Sequence, residues 1–451
     1  MHPLSETSLL LTQGGDARIE AAPPHHKNPY GCAPFPDPAL LDFGSCTASV
    51  VSPGGFAAAE ALRVKLLDHS IADEAQRIRQ ELAELCGLPR DSGIEITLTP
   101  SGTDAHRIAV QSIYATDSEP LIVMVEPAES GSGVPAALAT GHRGHVIAVN
   151  IREPDGQPRP SAAIDAEVVS LTLSALAAER PVLLILTDVS KSGLIAPSVA
   201  CVDQLQHHAP ERVTVLVDAC QFRLSHATLH AYLARNFAVA LTGSKFVGGP
   251  SFSGALFIPP QLLGRPQAKR SSHDASKAIH AGLLLRWEAA LHALRSFSTL
   301  PGNEIRAFLQ HFSGAVGRHI AEHPLLEALP VLPLVRLPLA DGNDWDCVQT
   351  IFPFLLFRPT PRGLTPLNHE DTLKVFRLLP EVEASPLRGR LGQPVTCGTR
   401  NGTPVSALRL CASARLVTGA LQNGKESGQQ AIHEACAVLD KAALLAAKVN
   451  S

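Results

Sequence analysis

The chain has 451 residues, 45% of them hydrophobic and 18% charged, with a formal net charge of -4. That length and apolar content support two or three domains, or one large fold with a smaller lobe, and the slight acidity argues against nucleic acid or an anionic membrane as the main partner. Nine scattered cysteines, an odd number without any Cys-x-x-Cys spacing, argue against a disulfide framework or zinc site and for a reducing cytoplasm.

Residues 1–40 are rich in proline, histidine and polar residues and read as an irregular arm, without the basic start and apolar core of a signal peptide. No run reaches the roughly 20 apolar residues that a membrane helix needs. From Ala57 to Leu85 the pattern predicts helix, with acidic and basic residues interleaved in its second half. A short strand at 94–99 leads through the turn Pro100-Ser101-Gly102-Thr103 into an apolar helix over 105–114. Buried-type strands at 121–125, 145–150, 182–186, 213–217, 237–241 and 254–258 alternate with helical stretches. Together they predict an α/β fold with a mostly parallel, seven-stranded-type sheet covered on both faces. After Pro260 the pattern changes. Helices are predicted over 277–297 and 303–322, strands at 331–337 and 350–357, and a helix over 368–379 with Asn368 as its cap. A strand at 407–411 and an Ala-rich helix from 428 to 449 close the chain. The expected organisation is a large domain over 41–300 and a smaller α+β domain over 301–451.

Two motifs carry the chemistry. Lys245 follows an apolar run, in Thr242-Gly243-Ser244-Lys245-Phe246-Val247-Gly248-Gly249-Pro250. Asp218 ends another, in Val217-Asp218-Ala219-Cys220-Gln221. A lysine that forms a Schiff base with an aldehyde, and a carboxylate that keeps a pyridine nitrogen protonated, are what a pyridoxal phosphate (PLP) site needs. Gln221 is a candidate donor to the cofactor's phenolic oxygen, and the Thr242 and Ser244 hydroxyls are candidates for its phosphate. Upstream, Ser101-Gly102-Thr103-Asp104-Ala105 follows a strand and opens a helix, where glycine admits a phosphate to the backbone and the first turn supplies N–H donors. Lys191 is a competing imine lysine, but it lacks the downstream glycine-rich turn. His226 and His230 have zinc-ligand spacing, yet no glutamate follows the first, and they read as ordinary histidines.

The order S-G-T-D-A, V-D-A-C-Q, T-G-S-K-x-x-G-G-P-x-x-S-G-A-L-F resembles the aspartate-aminotransferase-like PLP-dependent transferases of fold type I, and within them the class V aminotransferase and cysteine desulfurase branch. Leu41-Asp42-Phe43-Gly44-Ser45-Cys46-Thr47 and Leu408-Arg409-Leu410-Cys411-Ala412-Ser413-Ala414-Arg415 extend the resemblance over most of the chain from residue 40. It implies Lys245 as the Schiff-base lysine, Asp218 at the pyridine nitrogen and Gln221 at the phenolic oxygen. It implies Ser101, Gly102, Thr103, Thr242 and Ser244 around the phosphate. Arg409 would hold the substrate carboxylate, with Arg415 as its rival. The sequence also departs from the family. Glu129 or Ser130 falls where a histidine usually stacks on the ring, Ser190 near the phenolic oxygen, and Ser244 where a histidine usually precedes the lysine. Cys397 lies upstream of Arg409, as the reactive cysteine of desulfurases does. The resemblance implies an enzyme that transforms an α-amino acid, by transamination first and by desulfurase-type or other β/γ-elimination or replacement second, with a non-catalytic regulator as the remote alternative. It implies a cytoplasmic homodimer with the site at the subunit interface, and a phosphate contact from the Ser271-Ser272-His273 region of the partner subunit. No metal, nucleic acid or membrane is expected.

Overall fold

The computed structural model describes residues 4–22, 26–263, 279–382 and 386–449. Its first strand, β1 (Leu40–Asp42), pairs in parallel with a short strand at Arg388–Arg390, so the start of the large lobe is stitched to the end of the small one. The larger sheet has eight strands: β2 (Glu95–Thr99), β3 (Leu121–Val125), β4 (His145–Val149), β5 (Val182–Asp188), β6 (Ile195–Ala196), β7 (Val213–Ala219), β8 (Ala238–Thr242) and β9 (Gly254–Ile258). Their order is β2-β9-β8-β7-β5-β3-β4, with β6 paired to β5. β8, β7, β5, β3 and β4 run parallel, whereas β9 is antiparallel to both neighbours. Two antiparallel steps restore direction, so β2 ends at the same edge as β5, β7 and β8.

The strands lack a polar face because both faces are covered. Alternate residues of β5 and β7 divide between two cores: Leu184, Leu186, Val215 and Val217 enter one, Leu183, Ile185 and Leu216 the other. The helix Ala281–Ser298, buried on nearly every side, packs in the first of these.

The helix expected over 57–85 is two helices. α1 (Glu6–Leu11) lies in the arm, and α2 (Pro53–Lys65) and α3 (Ile71–Leu85) replace the single element. The break falls at Asp68-His69-Ser70, where the Ser70 hydroxyl accepts from the Asp73 amide at 3.1 Å and caps a new helix. The arm is more ordered than expected. Buried Arg286 donates to the carbonyls of Leu11, Gln13 and Gly14 and to that of Phe252, which ties the arm to the rim of the large sheet.

In the small lobe, β10 (Leu326–Ala328), β11 (Ile351–Thr360), β12 (Gly363–Pro366), β13 (the Arg388–Arg390 strand), β14 (Gly392–Arg400) and β15 (Thr403–Cys411) follow one another. All but β13 join one antiparallel sheet in the order β10-β11-β15-β14, with β12 on β11. The strand expected at 331–337 is irregular chain. Pro330, Pro333 and Pro338 cannot donate to a ladder, and Arg336 between them is buried in an ion pair instead of lying on a pleat. β14, not expected, forms a hairpin with β15 through Asn401-Gly402, both at positive φ (51° and 76°). Asn-Gly is a strong hairpin signal in a sequence.

Candidate active site

The ends of β5, β7 and β8, the start of α4 (Gly102–Ile113) and residues from β15 and the N-terminal arm enclose a cavity of about 240 Å³. Asp218, at the end of β7, lines it and is buried. Its Oδ1 accepts from the Cys220 amide at 3.2 Å, and its Oδ2 lies 3.5 Å from His106 Nε2. His106 stands one turn into α4, where its Nδ1–H donates to the Gly102 carbonyl at 2.7 Å. That bond leaves Nε2 facing the carboxylate. Burial opposes charge on both groups. The nearby Asp218 carboxylate outweighs it and raises His106 above its ordinary 6.5, while His106 and then Lys245 hold Asp218 well below the usual carboxylate range.

Gly102 opens α4 against the ends of β7 and β8. A Cβ there would sit 2.5 Å from Cys220 Sγ and 3.2 Å from Thr242 Cγ2, so only a residue without a side chain brings this helix start so close. Thr103 and Ser244 line the cavity beside it. Two expected phosphate hydroxyls are already committed. Ser101 Oγ accepts from the Asp104 amide at 3.1 Å and donates to its carboxylate at 2.7 Å, as a helix cap. Thr242 Oγ1 donates to the Cys220 carbonyl at 2.7 Å. The donors left for an anion at this helix start are the Gly102 and Thr103 amides and the Thr103 and Ser244 hydroxyls.

Lys245 follows β8 in a turn closed by Gly243 N to Ser253 O at 2.8 Å and Gly249 N to Gly243 O at 2.9 Å. Ideal Cβ atoms at Gly243 and Gly249 would fall 2.7 and 2.6 Å from the Ala290 methyl, so the glycines let the lysine turn pack against helix Ala281–Ser298. Gln221 is buried at the cavity wall. Its Nε2 donates to the Cys46 carbonyl at 3.0 Å, and its Oε1 has no partner among the described residues. One amide hydrogen of Gln221, the expected donor to the cofactor, is thus spent on the Cys46 carbonyl.

Glu129 does not take the place of a stacking ring. Its carboxylate accepts from Arg152 Nε at 2.8 Å, Ser190 Oγ at 2.7 Å, Ser192 Oγ at 2.5 Å and the Ser192 amide at 3.1 Å. Burial opposes its charge, but Arg152 and the seryl donors keep the carboxyl below its ordinary range. Ser190 is likewise occupied: it donates to Glu129, accepts from the Leu194 amide at 3.1 Å, and does not line the cavity. Together these bonds fix the turn Ser190–Ser192 and carry Lys191 into the cavity, with Nζ 3.0 Å from the Pro127 carbonyl.

Arg409 lines the cavity and Arg415 does not. Arg409 donates to Lys191 O at 3.1 Å, Thr47 Oγ1 at 3.0 Å and Gln393 O at 2.5 Å, and its buried Nε has no partner among the described residues. Arg415 donates to the Val50 carbonyl and lies against Gly248. Cys397 is buried away from the cavity with its thiol toward Val405 O, and burial pushes it up to about 11. Cys46 is the cysteine beside Arg409. Burial raises its thiol, while the neighbouring Cys411 thiol and the charges of Arg409, Arg223 and Lys245 pull it below its ordinary value. Sequence reasoning missed Cys46 and His106, as well as Arg18 and Tyr30 of the arm, which also line the cavity. His106 had a signal, since it is four residues after Gly102 and therefore shares its helix face. The Ser271-Ser272-His273 segment lies outside the described residues.

No protein-family model matches the sequence, and no curated protein matches it. Solved structures do. The cysteine desulfurase CsdA of Escherichia coli superposes with a TM-score of 0.55 at 15% identity, covering 89% of this chain and 95% of that one. A C-DES mutant with glycine covalently linked to its PLP cofactor gives 0.57 at 15% identity, covering 89% and 99%. The phosphoserine aminotransferase SerC of Cytophaga hutchinsonii ATCC 33406 gives 0.56 at 11% identity, covering 88% and 98%. The chain therefore has the fold of the fold-type-I PLP-dependent enzymes, as its motifs lead one to expect.

Proposed function

We propose that this protein is a PLP-dependent enzyme that transforms an α-amino acid, with transamination as its reaction. The observation that carries the reading is one cavity bordered by Lys245, by Asp218 with its His106 partner, and by the glycine-opened start of α4. The donor set fits the cofactor: first-turn amides, Thr103 and Ser244 for the phosphate, Asp218 for the pyridinium N–H, and the Lys245 amine for the aldehyde. When bound, PLP supplies an electron sink that makes a carbanion at the substrate Cα accessible.

The protein's own groups divide the remaining work. Asp218, kept ionised by His106, holds a proton on the ring nitrogen. The Lys245 amine would take the proton from the substrate Cα and return it. Arg409 orients the substrate carboxylate and so fixes which Cα bond faces the ring. Transamination is preferred over desulfuration through Cys397, because that residue is buried away from the cavity and burial pushes its thiol up to about 11.

Single-turnover product analysis with a panel of amino acids tests this. Release of one equivalent of keto acid without ammonia supports transamination. Ammonia or sulfide release assigns the protein to elimination instead. A protein that stays colourless with added PLP rules out the whole reading. Lys245→Ala is expected to abolish the visible absorbance of the bound cofactor, while Lys191→Ala keeps it.

A further inference from the structure

The cavity holds a second amine. Lys191 and Arg409 touch, since the Arg409 guanidinium donates to the Lys191 carbonyl. Among the described residues, the hydrogen-bond partners of both head groups are neutral: Pro127 O for Lys191, and Lys191 O, Thr47 Oγ1 and Gln393 O for Arg409. Glu129, the neighbouring carboxylate, is committed to Arg152 and two serines. The anion cradle at α4 is built from other elements and uses neither cation. Two largely buried cations that line one cavity disfavour each other's charge until an anion joins them there.

We propose that Lys191 and Arg409 together clamp the carboxylate of the amino-acid substrate, an inference that rests on the functional reading above. Lys191 contacts the substrate directly and is held in place by the Glu129–Arg152 network beneath its turn. Its titration gives the clamp a pH signature. Burial, then Arg409, then Lys245 push Lys191 down to about 8, against the opposing pull of Glu129 and Asp218. A carboxylate seated between the two cations raises Lys191 again. Binding is therefore strongest while Lys191 is protonated, and it weakens as pH rises through about 8.

The test uses the PLP-loaded protein. Each of the standard amino acids is titrated against the visible band, and the one that perturbs it most serves as the probe. Its apparent affinity is then measured for wild type, Lys191→Gln and Lys191→Arg. The ratio of wild type to Lys191→Gln cancels the probe's own amine titration. It is expected to be about tenfold at about pH 7 and to approach one by about pH 10. Lys191→Arg, which stays charged, is expected to keep the advantage at the alkaline end. Equal affinities at neutral pH, a ratio that does not fall with pH, or no response to any amino acid overturns the clamp while the cofactor reading stands. Absence of the visible band in wild type overturns the cofactor reading, and the clamp with it.

Discussion

Asp218 and His106 titrate as one unit, and this sets an expected pH dependence. Asp218 is depressed, so its contribution to stability is present above about pH 4 and is lost as pH falls. His106 is raised above 6.5, so its contribution is full below that value and is lost as pH rises through the raised one. The pair is therefore strongest between those limits. His106→Asn is expected to lower Tm by roughly 5 °C inside that window and by less on the alkaline side, as thermal melts across pH would show. It should also weaken PLP binding, because the ring nitrogen would meet a less firmly ionised carboxylate. Gly102→Ala makes a steric test of the cradle. The added methyl meets Cys220 Sγ, so cofactor uptake should be lost, and Cys220→Ala in the same chain should restore part of it. The Lys245–Asp218 pair was legible because Asp218 ends one apolar run and Lys245 shortly follows another. The commitments of Ser101, Thr242 and Glu129 were not, because a hydroxyl or carboxylate in a motif does not reveal which neighbour has already taken it.

At the scale of elements, the irregular stretch at 331–338 joins the lobes. Arg336 makes two bonds to the Asp188 carboxylate, at 2.7 and 2.6 Å, and a third to the Asp346 carbonyl. Tyr232 adds a bond to Asp188 at 2.6 Å, and Asp346 accepts from the Ser225 amide at 2.8 Å. The Arg336 and Asp188 side chains are fully buried. Removing one partner leaves the other charged and unpaired, so Arg336→Met is expected to destabilise the protein by about 3–5 kcal/mol, measured by denaturant unfolding. The same physics explains why a strand was expected here. Val, Leu and Pro around Arg336 look like a buried pleat in sequence, and only the position of Asp188 shows that the segment is anchored by charge. The hairpin at Asn401-Gly402 is the opposite case: its signal was local and could be read from two residues.

At the scale of the molecule, the two sheets meet where the cavity opens, and the N-terminal arm closes its rim through Arg18 and Tyr30. Among the described residues, no helix is long and apolar enough to cross a membrane. We propose a homodimer, for which light scattering should give twice the chain mass at micromolar concentration. The sequence by itself determined the alternation of buried strands and helices, the lysine and aspartate at strand ends, and the glycine that opens α4. Those follow from periodicity and from backbone sterics, which act over a few residues. Only the tertiary structure decided which polar groups remain available. It joined His106 to Asp218, spent Glu129 on Arg152, put Arg409 and not Arg415 on the cavity wall, and brought Lys191 to the same cavity. Each of those outcomes depends on charges and hydrogen-bond partners far apart in the chain, whose distances are set by packing.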